Sequence, residues 1–296
     1  MHACLPTKTN SAEYLLSAGA DAAVEALTNA DCDEVLAFLG TRSLHTAYLS
    51  GLIRDNGIVS SNNRGTFYGY RNNVREVEGV ALLGHAILIE AVTNRAIRAF
   101  AEKAQNFTTA HLIMCQEDQI DKFWNFYAKA GQEMRRASRQ IVFELRWPIE
   151  ASNPVSTLRL ATPDDLNLLV PVHAEMALEE SGVDPRGIDE SGFTERYARR
   201  IAQGRTWILV ENGQLLFKAE IVSETLETTY IEGIWVNPNL RRQGFGLSCM
   251  SQLARMLLWR TRSLCLVAND ENEAASAFFR QAGYHARGVY DTIFLK

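Results

Sequence analysis

Apolar residues of the first half fall at helical spacing before any strand pattern begins. Residues 1 to about 30 read as a loose, alanine-rich amphipathic helix. Val35, Leu36 and Leu39 share one face of a short helix that Asp31 or Asp33 can cap. Leu44, Tyr48, Leu49 and Leu52 share one side of a second helix over 41–53, ended by Asp55-Asn56-Gly57. A short strand over 65–70 follows, then an apolar run over 78–91, either one long strand or a pair interrupted at Gly84. A helix over 96–104 and a strand over 110–114 come next. Then comes a helix over 117–130, with Ile120, Phe123, Trp124 and Tyr127 inward and Gly131 as its stop. Ile141, Phe143, Leu145 and Trp147 alternate along a last strand over 139–147.

Two prolines and several polar residues over 147–154 make a plausible linker, after which the pattern starts again. A strand at 158–160 leads to Thr162-Pro163-Asp164-Asp165, an N-cap with proline at the first position, and a helix to about 179. A helix over 189–202 and a strand over 206–211 follow, with Asn212-Gly213 as a hairpin turn into the strand at 215–223. The strand at 227–236, helix at 247–259, strand at 264–268, helix at 272–282 and two short strands at 284–287 and 289–295 complete the chain. The second half thus reads β-αα-βββ-α-β-α-ββ. The first half has a similar order, which suggests a degenerate second copy and domains at 1–148 and 155–296.

Composition narrows the classes. At 296 residues the chain is comfortable as two domains, and 47% hydrophobic with 22% charged residues is the balance of a soluble globular protein. A net charge of −5 speaks against a broad grip on nucleic acid or anionic lipid, so any anion site must be local. No apolar run approaches a membrane span, and the N-terminus lacks the plan of a signal peptide. The five cysteines, Cys4, Cys32, Cys115, Cys249 and Cys265, are scattered and odd in number. That points away from a disulfide framework or metal knot and toward a reducing cytoplasm.

The densest chemistry lies between the strand ending at Val236 and the helix at 247–259. Val236-Asn237-Pro238-Asn239-Leu240-Arg241-Arg242-Gln243-Gly244-Phe245-Gly246 joins them with two arginines and two glycines. Such a strand–loop–helix aims backbone N–H groups and a positive helix end at one spot, which suits a phosphate or pyrophosphate. The glycines allow close approach or positive φ, and the arginines add charge-assisted donors. No Lys-Ser/Thr pair follows, so it is not a P-loop. Cys249 stands where a dinucleotide fingerprint needs a third small residue, and no acidic residue on a following strand completes that pattern. Cys249 is either a core thiol or a neighbour of the ligand. An ordinary glycine turn capping a βα unit is the plain alternative for the whole loop.

Val236, Pro238, Arg241, Gly244 and Gly246 resemble the acetyl-coenzyme A loop of the GNAT superfamily of N-acetyltransferases. Asn272, Ala275, Phe278, Phe279, Gly283 and Tyr284 are similar to that family's closing segment, in the right order and at the right distance. The resemblance covers about 155 to 296 and implies the GNAT fold, an α/β architecture on a mixed sheet, with two GNAT-like domains. The corresponding junction of the first half, 90–96, has no glycine and should hold no pyrophosphate, leaving that half as a scaffold.

The resemblance implies an acetyl-CoA-dependent transfer to a primary amine, directly, in a ternary complex and without a metal. Ile234, Trp235 and Val236 would then offer their strand to the pantetheine arm. Arg241, Arg242, Gln243, Gly244, Phe245 and Gly246 would hold the pyrophosphate, and Asn272 and Phe279 would contact the cofactor from the next helix. A strand N–H at the acetyl carbonyl would stabilise the oxyanion by ~3 kcal/mol. In a regular strand Tyr230, Glu232 and Ile234 point the same way. Glu232 is the candidate to take the amine proton, and is equally well read as a solvated or salt-bridged carboxylate. Glu220 is a weaker candidate, and His173 reads as a packed or surface histidine. Many family members carry a tyrosine where this chain has Phe279, which donates no proton; Tyr284 and Tyr290 are the nearby alternatives for a general acid.

Glu175, Glu179, Glu180 and Asp184 make the segment expected to choose the acceptor acidic, which suits a cationic small-molecule or peptide amine, or else is a solvated helix face. Two other functions remain open: an acyl-CoA-binding sensor with little turnover, and a transferase for a longer acyl or an aminoacyl group. No nucleic-acid or membrane partner is expected, and a homo-oligomer is compatible with the sequence.

Overall fold

A computed structural model describes residues 24–150, 155–156 and 158–296. The N-terminal helix expected to about residue 30 lies outside them up to residue 23, as do Cys4, most of the linker at 151–154 and the side chain of Glu180. From Val24 the expected helix gives way to a strand and a 3-10 turn.

In chain order the elements are β1 (Val24–Ala26), α1 (Cys32–Gly40), α2 (Ser43–Asn56), β2 (Gly65–Arg71), β3 (Val77–Gly84), β4 (Ala86–Ala91), α3 (Asn94–Ala104), β5 (Leu112–Gln116), α4 (Glu117–Tyr127) and β6 (Met134–Leu145). There follow β7 (Arg159–Leu160), α5 (Leu166–Ser181), α6 (Arg186–Ala202), β8 (Thr206–Glu211), β9 (Gln214–Glu224), β10 (Thr229–Val236), α7 (Phe245–Leu257), β11 (Leu264–Asn269), α8 (Glu273–Gln281) and β12 (His285–Leu295). The run at 78–91 is a pair of strands, and the two closing strands are one.

The chain divides into two compact units. Of the described residues, the first holds 24–35, 58–136 and 293–296. Its strands follow the order β1-β2-β3-β4-β5, antiparallel except for the parallel β4/β5 pair. Ala96, Ile97, Phe100 and Ala101 of α3 and Ile120, Phe123 and Tyr127 of α4 bury their faces against Ala81, Leu83, Ile87 and Ile89. This is the stripe of apolar positions that helical periodicity selects.

The second unit holds the described residues of 36–57 and 137–292. Its bounds do not coincide with the boundary expected at 148–155, because 36–57 and 137–148 pack here. Its strands follow β12-β6-β11-β10-β9-β8-β7, so β6, from before the linker, stands beside β11 in antiparallel register from Leu264↔Leu145 to Asn269↔Gln140. One face of the sheet packs α7 and α8 through Phe217, Ile231, Leu253, Leu257, Leu266 and Phe279. The other face packs α5 and α6 around Leu169, Tyr197, Ile201 and Ile208, and α2 around Ala47, Tyr230 and Cys265. Helix α2 lies tight on β9, since a Cβ at Gly51 would fall 2.3 Å from Ser223 Oγ. The hairpin at Asn212-Gly213 has φ of 50° and 74°, as a type I′ turn requires.

Candidate active site

The site begins where β10 and β11 part. They pair only at Thr229↔Leu264 and Tyr230↔Cys265. Beyond that, the ladder of β10 runs along β9, with register shifts between Tyr230 and Ile231 and between Glu232 and Trp235. Gly233 sits in the second shift at φ 59°, a conformation that costs other residues strain. Glu232 to Val236 are therefore only half-buried, although their strand lies in the middle of the sheet. A parallel pair that opens in this way leaves main-chain donors and acceptors able to take an extended ligand as an added strand.

The bulge also turns the alternation over. Ile231 packs toward α7, Tyr230 toward α2, and Ile234 and Val236 join the α7 and α8 side while Trp235 joins the α5 and α6 side. Ile234 thus faces away from Tyr230 and Glu232, against the expectation from a regular strand. The extra residue in the bulge shifts the two-residue period by one.

After β10 the chain makes a 3-10 turn at Pro238–Leu240, capped by Asn237, whose Oδ1 accepts the Asn239 N–H at 3.1 Å and whose Nδ2 donates to Leu215 O at 3.1 Å. Arg241 Nε donates to Val236 O at 2.9 Å and Gln243 Nε2 to Asn239 O at 2.8 Å, which tie the loop to itself. Arg242 lies at φ 59° and Gly244 at φ 77° as the N-cap of α7. Ser248 N reaches back to Gly244 O at 3.1 Å, and the N–H groups of Phe245, Gly246 and Leu247 belong to the first turn, where the helix offers no acceptor. Nothing stands within 4 Å of a Cβ at Gly244, whereas one at Gly246 would lie 3.0 Å from Val236 Cγ2 and 3.1 Å from Phe278. Gly244 thus leaves open space above the helix end, and Gly246 lets the helix pack on its strand. Beside the loop, Val155, Ser156, Glu211, Leu240, Gln243, Phe245 and Ser248 line a depression of about 320 Å³. An anion at the open helix end would meet the uncapped amides and the positive end of α7, and exposed Arg241 and Arg242 belong to the same loop. The residues present fit a coenzyme diphosphate.

The matching junction of the first unit is closed on itself. Thr93 accepts the Ala96 N–H at 3.3 Å and donates to Glu78, and Gln119 Nε2 donates to Ala91 O at 2.9 Å.

On the α2, α5 and α6 face, the Tyr230 hydroxyl donates to Glu232 Oε1. Burial, then Glu232, holds that hydroxyl well above its usual pKa. Next to them Lys218 and Glu220, both 0% exposed, form an ion pair that Arg200, Tyr197 and His173 complete. Burial pushes the Glu220 carboxyl up, but Lys218, His173 and Arg200 outweigh it and hold it well below the usual range. Burial lowers the Lys218 pKa, partly offset by Glu220. By sequence Glu220 is only a weak candidate, and Lys218, Arg200 and Tyr197 do not stand out. The available signal is Lys218-x-Glu220, two charges on one face of an otherwise apolar strand.

The remaining candidates lie apart from Glu232. Phe279 is 7% exposed and packs against Phe143, Phe278 and Tyr284 in the core. Tyr284 is 1% exposed, its hydroxyl is enclosed without a protein partner, and burial raises its pKa strongly. Tyr290 packs on His45 at 5.6 Å on β12, with β6 and β11 between that strand and β10. Asn272 is exposed, and its Oδ1 caps α8 by accepting the Ala275 N–H at 2.9 Å, which leaves its amide NH₂ to donate. Cys249 is a core thiol, pushed up to about 12 by burial. Among the described residues no group of three or more His, Cys, Asp or Glu is placed to hold a metal, and no helix is long and apolar enough to cross a membrane.

Residues 174–284 match the family model "Acetyltransferase (GNAT) family". Among solved structures, an acetyltransferase of the GNAT family from Colwellia psychrerythraea is 12% identical, with a TM-score of 0.56 over 92% of this chain and 99% of that one. A protein of Drosophila malonogaster is 13% identical, with a TM-score of 0.65 over 92% and 98%. A tandem GNAT protein from the clavulanic acid biosynthesis pathway is 12% identical, with a TM-score of 0.54 over 91% and 97%. At such identities the likeness is one of fold. No curated protein matches. The parted strands, the loop and the comparisons lead to one conclusion: the chain has the GNAT fold, and its residues 174–284 match the GNAT acetyltransferase family model.

Proposed function

We propose that the chain transfers an acetyl group from acetyl-CoA to a primary amine of a small molecule or peptide, in a ternary complex. The observation that carries this reading is the parting of β10 from β11 after Tyr230, followed by the Gly233 bulge against β9, upstream of the uncapped amides at 245–247. The coenzyme supplies the thioester to be attacked. The chain's own residues do the rest. The amides of 241–246 and both arginines bind the diphosphate, Ile234, Trp235 and Val236 pair with the pantetheine arm, and the Asn272 amide donates from the next helix. A main-chain N–H of β10 polarises the carbonyl, a term worth ~3 kcal/mol. Glu232, held by the Tyr230 hydroxyl, accepts a proton from the acceptor nitrogen. A cytoplasmic location belongs to the same reading.

A second reading is favoured by one observation. Phe279 and Tyr284 are core residues, so no hydroxyl from them reaches the thiolate, as a binding module with little turnover would tolerate. Two measurements separate the readings. Both expect acetyl-CoA to raise the melting temperature. Only the enzyme releases free thiol when a primary amine is added, and a larger melting shift with a longer acyl-CoA would point to another donor. No shift with any acyl-CoA would overturn both.

A further inference from the structure

We infer that His173, held by Glu220, is the base that takes the proton of the arriving ammonium, so that the acceptor meets the thioester as a free amine. This rests on the transfer reading and adds a second proton acceptor to the same site.

Proton balance asks for two. An ammonium and a thioester become an amide, a thiol and one released proton; a C–S bond breaks and a C–N bond forms. Of the two protons the nitrogen loses, one ends on the thiol and the other in solvent. Glu232 serves the first. The second must leave before attack, through a group that touches solvent.

His173 has that position. Its Nδ1 lies 3.3 Å from Glu220 Oε1, and its side chain is 25% exposed where Glu220 is 0% exposed. Glu220 also receives the Tyr197 hydroxyl at 3.1 Å and the Lys218 and Arg200 cations, so it is ionised and can only accept. Nδ1 therefore carries the hydrogen and Nε2 the lone pair, the tautomer a base needs. The ring is stacked with Phe193 at 5.2 Å and Tyr197 at 4.3 Å, both nearly parallel to it, which fixes its plane. The hub also adjoins the bulge, since Glu220 Oε1 would stand 2.9 Å from a Cβ on Gly233. The groups facing His173 and its hub are Glu220 and Lys218 from β9, Tyr197 and Arg200 from α6, and Glu232 and Tyr230 from β10, with Tyr48 of α2 beside Arg200.

The test uses the full chain, acetyl-CoA and three primary amines of rising pKa: glycinamide, benzylamine and ethylamine. His173→Gln should lower kcat/KM near neutral pH about 100-fold. The loss should be recovered as pH rises toward the pKa of the amine, and should be smallest for glycinamide. The acetyl-CoA melting shift should not change. A readout free of turnover is the nitrogen NMR of the His173 ring in the native chain without coenzyme, which should show hydrogen on Nδ1. Because it needs no variant, it decides the matter even where His173→Gln fails to fold. Hydrogen on Nε2, or an unaltered pH profile and amine dependence in His173→Gln, would overturn the inference and leave the transfer reading standing. Absence of thiol release by the native chain with all three amines would remove the transfer reading and, with it, the proton that His173 is assigned.

Discussion

Val236 Cγ2 stands 3.0 Å from the point that a Cβ on Gly246 would occupy. The two glycines of the loop thus serve different ends. A side chain at Gly246 forces α7 off its strand, and overpacking of this kind costs about 1–3 kcal/mol. Gly246→Val should lower stability to denaturant by that amount. At Gly244 there is room for a Cβ but φ is 77°, so Gly244→Val should cost about 1–2 kcal/mol in strain and abolish the acetyl-CoA heat signal in titration calorimetry. Undiminished coenzyme uptake by Gly244→Val would contradict the loop assignment.

Gly233 is constrained twice, by φ 59° and by the Glu220 carboxylate 2.9 Å from its would-be Cβ. Gly233→Ala should shift the bulge, lower stability by about 1–3 kcal/mol and reduce turnover more than coenzyme affinity. Equal losses in both would mean that the bulge does not hold the carbonyl.

Lys218 and Glu220 are buried together, so removing one leaves a charge under-compensated. Lys218→Met should cost about 3–5 kcal/mol, and Lys218→Met/Glu220→Met less than the sum of the single changes. A double-mutant cycle by denaturant unfolding reads the coupling, and additivity would argue against the pair.

Asp165 predicts an acid limb. Its carboxyl is bound by Arg159 at 2.7 and 2.8 Å and by the Thr162 N–H and hydroxyl, and these hold its pKa at about 2, against 3.8 unperturbed. The folded pKa is depressed, so the stabilisation is fully present above 3.8 and is lost as pH falls through the folded value of about 2. Asp165→Asn should cost about 2 kcal/mol at neutral pH, and the stability gap to the native chain should close over that window. A gap that stays constant down to acid pH would rule the linkage out.

Glu232→Gln removes the proposed proton acceptor on β10 and should lower kcat about 100-fold. Tyr230→Phe releases the carboxylate from its hydroxyl and should alter the pH profile of kcat. Neither should change the melting shift with acetyl-CoA, since the loop proposed to hold the diphosphate lies elsewhere. A loss of that shift would mean that both residues act on coenzyme binding.

The loop is legible in the sequence because it is local. Eleven consecutive residues supply the strand end, the cap, the positive-φ Gly244 and the helix start, and the absence of a following Lys-Ser/Thr pair speaks against a P-loop, whereas the positive φ of Arg242 carries no such signal. Helices α3, α4 and α8 are legible for the same reason, each writing its buried stripe within its own span. Gly233 carries a signal of its own, since a glycine inside a strand often marks a bulge. A regular strand would put Ile234 on the face of Glu232, and the bulge puts it on the other.

By itself, then, the sequence determined the order of the strands and helices from Asp31 to Ala282 and the glycine-free first junction against the glycine-bearing second one, because periodicity and turn chemistry act over a few residues. Only the tertiary structure decided that β6 joins the sheet of the second unit between β11 and β12, that α2 covers Tyr230 and Cys265, and that His173, Arg200, Lys218 and Glu220 meet. The physical reason is that a charged residue is buried only where partners arrive from other elements to replace its water, and those partners come from distant stretches of the chain.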